Sequence, residues 1–283
     1  MKIFKSCMKS FAKEFKWKNF GFEYNQLEHF YRSKWQSNEC SILYLIYRWI
    51  CSLFFIGLFT SCLVLQFSDG KIFIFLTNWG IILCLFTQLT AALLVTCWHF
   101  DLGEIRATIY DHDAKAITGV ANSMRTPTIV KIYWLLHGVA LLLALVITTV
   151  YWIFLHGKMN KPVRFPTISF ATHCLNSVFM LTDFLVIGFP MRLLHTVYAM
   201  LLPIFYCLFT VLYYFCGGED EYGNRYVYPI LDWKSPSKGI ITFAGVFSLY
   251  VVYCLILFLL DKLKNVIYCA SRVVWKPHAV ALY

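Results

Sequence analysis

A hydroxyl beside an imidazole is the smallest pairing that supports nucleophilic catalysis, because the ring takes the proton as the oxygen attacks. Two apolar runs of this chain hold such a pair. Thr77 lies about five residues from one end of the run 72–98, and His173 about five residues from the corresponding end of the run 168–189, which at about 1.5 Å per residue is the same depth. If the runs touch as helices, Thr77 is a nucleophile with His173 as its base. If they pack apart, Thr77 bonds the carbonyl one turn back and His173 is an interhelical donor.

The run that carries His173 also carries Asn176, Met180 and Asp183. At about 100° per residue these fall roughly 300°, 340° and 280° from His173, so all four share one helical face. Polar groups are costly in hydrocarbon, so this face turns toward a bundle interior or a wet cavity. Gln88 joins Thr77, Cys84 and Ala91 in a small, polar stripe suited to close helix packing. A catalytic cavity would need oxyanion donors, for which the amides of Asn78 and Asn176 are candidates. Arg48 in YLIYRW and Asp183 each lie about six residues from the same end of their runs, so they can pair; otherwise Arg48 snorkels to headgroups.

The elements that position these residues are membrane helices. Of 283 residues, 59% are hydrophobic, 19% aromatic and 14% charged, a balance that excludes an ordinary soluble domain. Six runs are long enough to span: 42–67, 72–98, 129–155, 168–189, 193–216 and 239–260. The expected fold is therefore all-α, a polytopic six-span transmembrane helical bundle. Sixteen Lys and Arg fall on the side shared by the termini and seven on the other, which places both termini in the cytoplasm. The net charge of +10 sits at the ends of apolar runs rather than on one dense face, so nucleic acid is not the partner.

Residues 1–41 read as a cytoplasmic basic N-terminal segment, 42–260 as the bundle and 261–283 as a cytoplasmic tail. No cleavable signal peptide is evident. Within 1–20, Phe4, Cys7, Met8, Phe11 and Phe15 recur at helical spacing between lysines, either as an amphipathic helix on an anionic leaflet or as a basic tail that sets orientation. The eleven cysteines contain no CxxC and suggest no disulfide framework. His99, Asp101, Glu104, Asp111, His112 and Asp113 in the longest interior loop are ligand types, but their spacing matches no zinc or calcium signature. No metal and no cofactor is expected. Pro203 is expected to kink its run. The loop 217–238, with Tyr222, Tyr226, Tyr228 and Trp233, suits a cap at headgroup level.

FYRSKWQ (30–36), YLIYRW (44–49), HCLNSVFMLTD (173–183), PMRLLH (190–195) and GNRYVYPILDW (223–233) together resemble the rolling stone family, multi-span membrane proteins linked to myoblast fusion in insects. The resemblance covers nearly the whole chain. It implies a plasma-membrane protein acting in muscle development, with membrane lipids and other membrane proteins at cell contacts as partners.

A more distant similarity is to the androgen-induced and androgen-dependent membrane hydrolases, which cleave fatty-acid esters with an intramembrane Thr and His. DGKIFIFLTN resembles their nucleophile motif and places that role on Thr77, and VYP (227–229) resembles a trailing motif. Their second, catalytic His falls on Asn176, which cannot act as a base, so the dyad survives only through His173 one turn away. The pocket this implies takes in Asn78, Gln88, Met180, Asp183, Tyr226 and Tyr228, with Arg48 and Asp183 as a structural ion pair.

Overall fold

The computed structural model describes residues 15–67, 70–118, 125–156 and 165–275. Ser41 opens the first long helix, α1 (Ile42–Gln66), its hydroxyl accepting from the Tyr44 N–H at 3.3 Å. The chain reverses at Gly70, whose φ of 78° favours a residue without Cβ, and passes through a 3-10 turn, Lys71–Ile74, into α2 (Leu76–His99). A shorter and more polar helix, α3 (Ile105–Thr118), precedes α4 (Thr128–Val150), which continues as a π-helical turn, Tyr151–Leu155.

Pro166 starts α5 (Pro166–Phe170), where its missing N–H costs nothing. A second π-helical turn, Ala171–Leu175, joins α5 to α6 (Asn176–Val186). The last two helices are α7 (Thr196–Phe215) and α8 (Pro236–Trp275). Pro203 lies inside α7, which continues through it. Among the described residues there is no β-strand, only one isolated bridge between Ser33 and Ile187.

Among the described residues five segments are long and apolar enough to cross a membrane: Ile42–Gln66, Leu76–His99, Thr128–Leu155, Leu193–Phe215 and Pro236–Arg272. Their outer faces expose Leu43, Leu53, Val64, Phe205, Leu212 and Ile241, each more than half accessible, the arrangement expected where acyl chains and not water are the solvent. The run 168–189 is helical from Pro166 to Val186 but is broken into three pieces and diluted by His173, Asn176 and Asp183. The final helix departs from the reading 239–260. It is 40 residues long, about 60 Å against a hydrocarbon core of about 30 Å, because Asp261 and Lys264 lie 3.2 Å apart, buried, and carry the helix past its apolar stretch.

Residues 15–40 are part of the fold rather than a free peripheral segment. Leu27, Phe30 and Tyr31 are buried among Trp98, Tyr133, Trp134 and Phe189, and burial of side chains such as Leu27 and Phe30 contributes about 1.5–3 kcal/mol each. Leu27 N–H donates to Asp113 Oδ1 at 2.8 Å and Tyr24 N–H to Thr126 Oγ1 at 3.0 Å. The amphipathic helix expected over 1–20 falls mainly outside the described residues; 17–20 form a 3-10 turn.

This segment also closes the end of α6, whose last carbonyls have no partner within the helix. Lys34 N–H and Ser33 Oγ donate to Val186 O at 2.9 and 3.2 Å, and Trp35 Nε1 donates to Leu185 O at 2.8 Å. From α8, Lys264 Nζ donates to Phe184 O at 3.0 Å and Ile187 O at 3.3 Å.

Gly188 makes that contact close. A Cβ there would meet the His29 carbonyl oxygen at 3.0 Å, and backbone cannot yield as a flexible side chain does. Gly188→Val is expected to lift residues 15–40 from the bundle and speed trypsin cleavage at Arg32 and Lys34 several-fold. Gly57→Val, at a position with nothing within 4 Å, leaves cleavage unchanged. Equal protection in the two variants contradicts the packing.

Candidate functional site

Two of the polar places inside the apolar bundle bear on the candidate site. The first is an ion pair between Arg48 of α1 and Asp183 of α6, both fully buried. An unpaired charge in such surroundings costs several kcal/mol, and only a partner with further hydrogen bonds makes it tolerable. Those bonds are present. Gln88 Nε2 donates to Asp183 Oδ2 at 3.0 Å and approaches Met180 Sδ at 3.4 Å, while Tyr47 Oη donates to Oδ1 at 3.4 Å. His137 Nε2 lies 3.2 Å from Oδ2. Arg48 donates in turn to Tyr44 Oη at 2.5 Å and Tyr133 Oη at 3.4 Å. Four helices therefore meet at one carboxylate.

The second place is a cavity of about 80 Å³ at the other end of the bundle. Thr77 at the start of α2 and His173 in the second π-helical turn both line it, together with Tyr206, Tyr228 and Thr242. His173 stacks on Tyr151 with ring centroids 3.6 Å apart and planes within 3°, so each π-helical turn contributes one ring of the pair. Tyr228 faces Thr77 and Tyr206. Among the described residues no hydrogen bond joins Thr77 to His173, and His173 Nδ1 is buried without a partner. The arrangement is a hydroxyl and an imidazole lining one cavity, not an assembled dyad.

The other expected pocket residues are not at this cavity. Gln88, Met180 and Asp183 belong to the ion-pair core, where Gln88 of α2 reaches Met180 and Asp183 of α6. Asn78 Nδ2 donates to the Ile72 carbonyl at 2.8 Å, which closes the turn before α2, and Asn78 does not line the cavity. Asn176 faces α4: its Oδ1 accepts from Ser177 N–H at 2.6 Å and Thr148 Oγ1 at 3.4 Å. Tyr226 is half-buried in the loop and does not line the cavity, whereas its neighbour Val227 is buried.

Sequence reasoning did not bring Tyr44, Tyr47, Tyr133 and His137 to the carboxylate. The signal available was spacing, since Tyr44 and Arg48, like Tyr133 and His137, are four residues apart on one helical face. The acidic residues of the interior connection have structural partners. Asp113 accepts from the Leu27 and Glu28 N–H groups, and Asp101 from the Arg106 N–H at 2.9 Å. Among the described residues no group of three His, Cys, Asp or Glu is placed to hold a metal ion.

The loop after α7 closes the cavity. Buried Asp220 accepts from the N–H groups of Tyr222 and Asn224 and from Asn224 Nδ2, each at 2.8 Å, while its carbonyl accepts from Lys71 Nζ at 2.7 Å. Trp233 Nε1 donates to Thr210 Oγ1 at 3.1 Å, and Thr242 Oγ1 to Ile230 O at 2.5 Å. The loop is thereby pinned to the turn before α2, to α7 and to α8.

A sequence profile of the family described as Protein rolling stone matches residues 1–283. The chain belongs to the rolling stone family. Protein rolling stone of Drosophila melanogaster is 53% identical over 282 residues, with 100% of each chain covered. No solved structure matches. In this rolling stone family member, the blocks that carry the kinship map onto the two polar places. YLIYRW and HCLNSVFMLTD build the ion pair and one cavity wall, and GNRYVYPILDW builds the lid.

Proposed function

We propose that this chain is a six-span plasma-membrane protein, with both termini cytoplasmic, that acts indirectly in myoblast fusion by organising lipids and neighbouring membrane proteins at cell contacts. Family membership supports the link to fusion. The excess of Lys and Arg on the side of the termini supports the orientation. The observation that carries the indirect mode is the lid: the loop after α7 is tied flat across the helix ends, and among the described residues nothing on that side reaches out to bridge two bilayers.

Native cysteines test this arrangement, because exposed Cys216 lies at the lid end and exposed Cys269 at the opposite end. In intact myoblasts an impermeant maleimide is expected to label Cys216, and Cys269 only after permeabilisation. Depleting the chain lowers the fraction of nuclei in fused cells, and re-expression restores it. Labelling of Cys269 from outside, or fusion that is indifferent to depletion, contradicts the proposal.

A second reading, hydrolysis of fatty-acid esters, is favoured by one observation: Thr77 and His173 line the same cavity. In that reading His173 removes the Thr77 proton as the oxygen attacks the ester carbonyl, and Tyr228 donates to the developing oxyanion. The alcohol leaves with a proton from His173, and water then cleaves the acyl-threonine. A fluorophosphonate probe is expected to label the wild type and not Thr77→Ala; absence of labelling from a folded wild-type chain removes the reading.

A further inference from the structure

The cavity behind the lid has a chemistry of its own. Val146, Ile147, Pro203, Phe243 and Val246 form its apolar walls, and among the described residues no Lys, Arg, Asp or Glu lines it. A carboxylate or phosphate inside would lose its hydration with no cation to replace it. Water is a poor occupant of so apolar a space, which calls for hydrocarbon instead. α7 and α8 supply Pro203, Tyr206, Cys207, Thr242, Phe243 and Val246 to the lining, and their spans bury the smallest shares of residues among the five, 28% and 22%.

The lining also carries uncharged polar groups. Thr77, Tyr228 and His173 are among them, with Tyr228 facing Thr77, and the buried Nδ1 of His173 has no partner among the described residues. A buried ring nitrogen left unmatched costs free energy that a bound group can recover. A hydroxyl is the suitable group, since it both donates and accepts and so satisfies either tautomer of a neutral imidazole.

We propose that this cavity takes the hydroxyl-bearing head and the first carbons of one acyl chain of a neutral lipid, diacylglycerol being the bilayer lipid of that description. The chain enters between α7 and α8, and the hydroxyl lies against His173. The proposal rests on the six-span reading, which sets the cavity inside the bilayer, and it requires no turnover.

The test is photolabelling of the full chain in phosphatidylcholine nanodiscs with a photoactivatable diacylglycerol. Label is expected in peptides containing Pro203 to Cys207 and Thr242 to Val246. Val246→Trp fills the cavity and abolishes it. His173→Phe keeps a ring for Tyr151 to stack on and loses only the nitrogen, so it is expected to reduce label about fivefold, the effect of one lost hydrogen bond. This second variant decides the matter if Val246→Trp does not fold. Equal labelling of the same peptides by photoactivatable phosphatidylcholine, or undiminished label in His173→Phe, overturns the proposal. Stronger labelling by a fatty-acid or sterol probe overturns the assignment of the head. A wrong topology is read separately by the maleimide experiment, and a missing hydrolase by the fluorophosphonate probe.

Discussion

A guanidinium in hydrocarbon must find a carboxylate or leave, and in this protein Arg48 has found Asp183. The pair is neutral as a unit, but each member has hydrogen-bonding capacity beyond the other, and that surplus recruits the remaining helices. Gln88 brings α2, Tyr133 and His137 bring α4, Tyr44 holds the arginine from its own helix, and Tyr47 of that helix donates to the carboxylate. Hydrophobic packing alone gives little preference between helix registers in lipid, because the alternative contacts are equally apolar. One buried carboxylate with partners on three other helices selects a single register.

The consequences run along α6 in both directions. Toward its C-terminal end, the carbonyls after Asp183 are taken by Lys34, Ser33, Trp35 and Lys264, so the N-terminal segment and α8 fix the height at which the carboxylate sits. Toward its N-terminal end, the same helix passes through a π-helical turn that carries His173 to the cavity. The ion pair and the cavity thus share one rigid element, and a shift of α6 would move both.

Much of this was legible in the sequence, and the parts that were not share a cause. Composition and run length gave helices in a bilayer, and counting residues from run ends put Arg48 and Asp183 at one level. Depth is linear along the chain and survives prediction. Rotation about the helix axis does not, because it depends on neighbours, and so the face of Asn78 and Asn176, the separation of Gln88 from Thr77, and the convergence of tyrosines were not readable. The π-helical turns at 151–155 and 171–175 each add a residue to a turn and shift the faces beyond them. The extension of α8 was hidden for another reason: hydropathy falls at Asp261, yet the Asp261 and Lys264 pair remains buried.

The central claim is that the Arg48 and Asp183 charges depend on each other and hold the bundle together. A double-mutant cycle in unfolding from detergent micelles tests it directly, with Arg48→Met, Asp183→Leu and the two combined. Each single substitution leaves an unpaired buried charge and is expected to cost about 3–5 kcal/mol, whereas the double variant loses much less than the sum of the two. Additive losses, or single variants as stable as the wild type, would contradict the account.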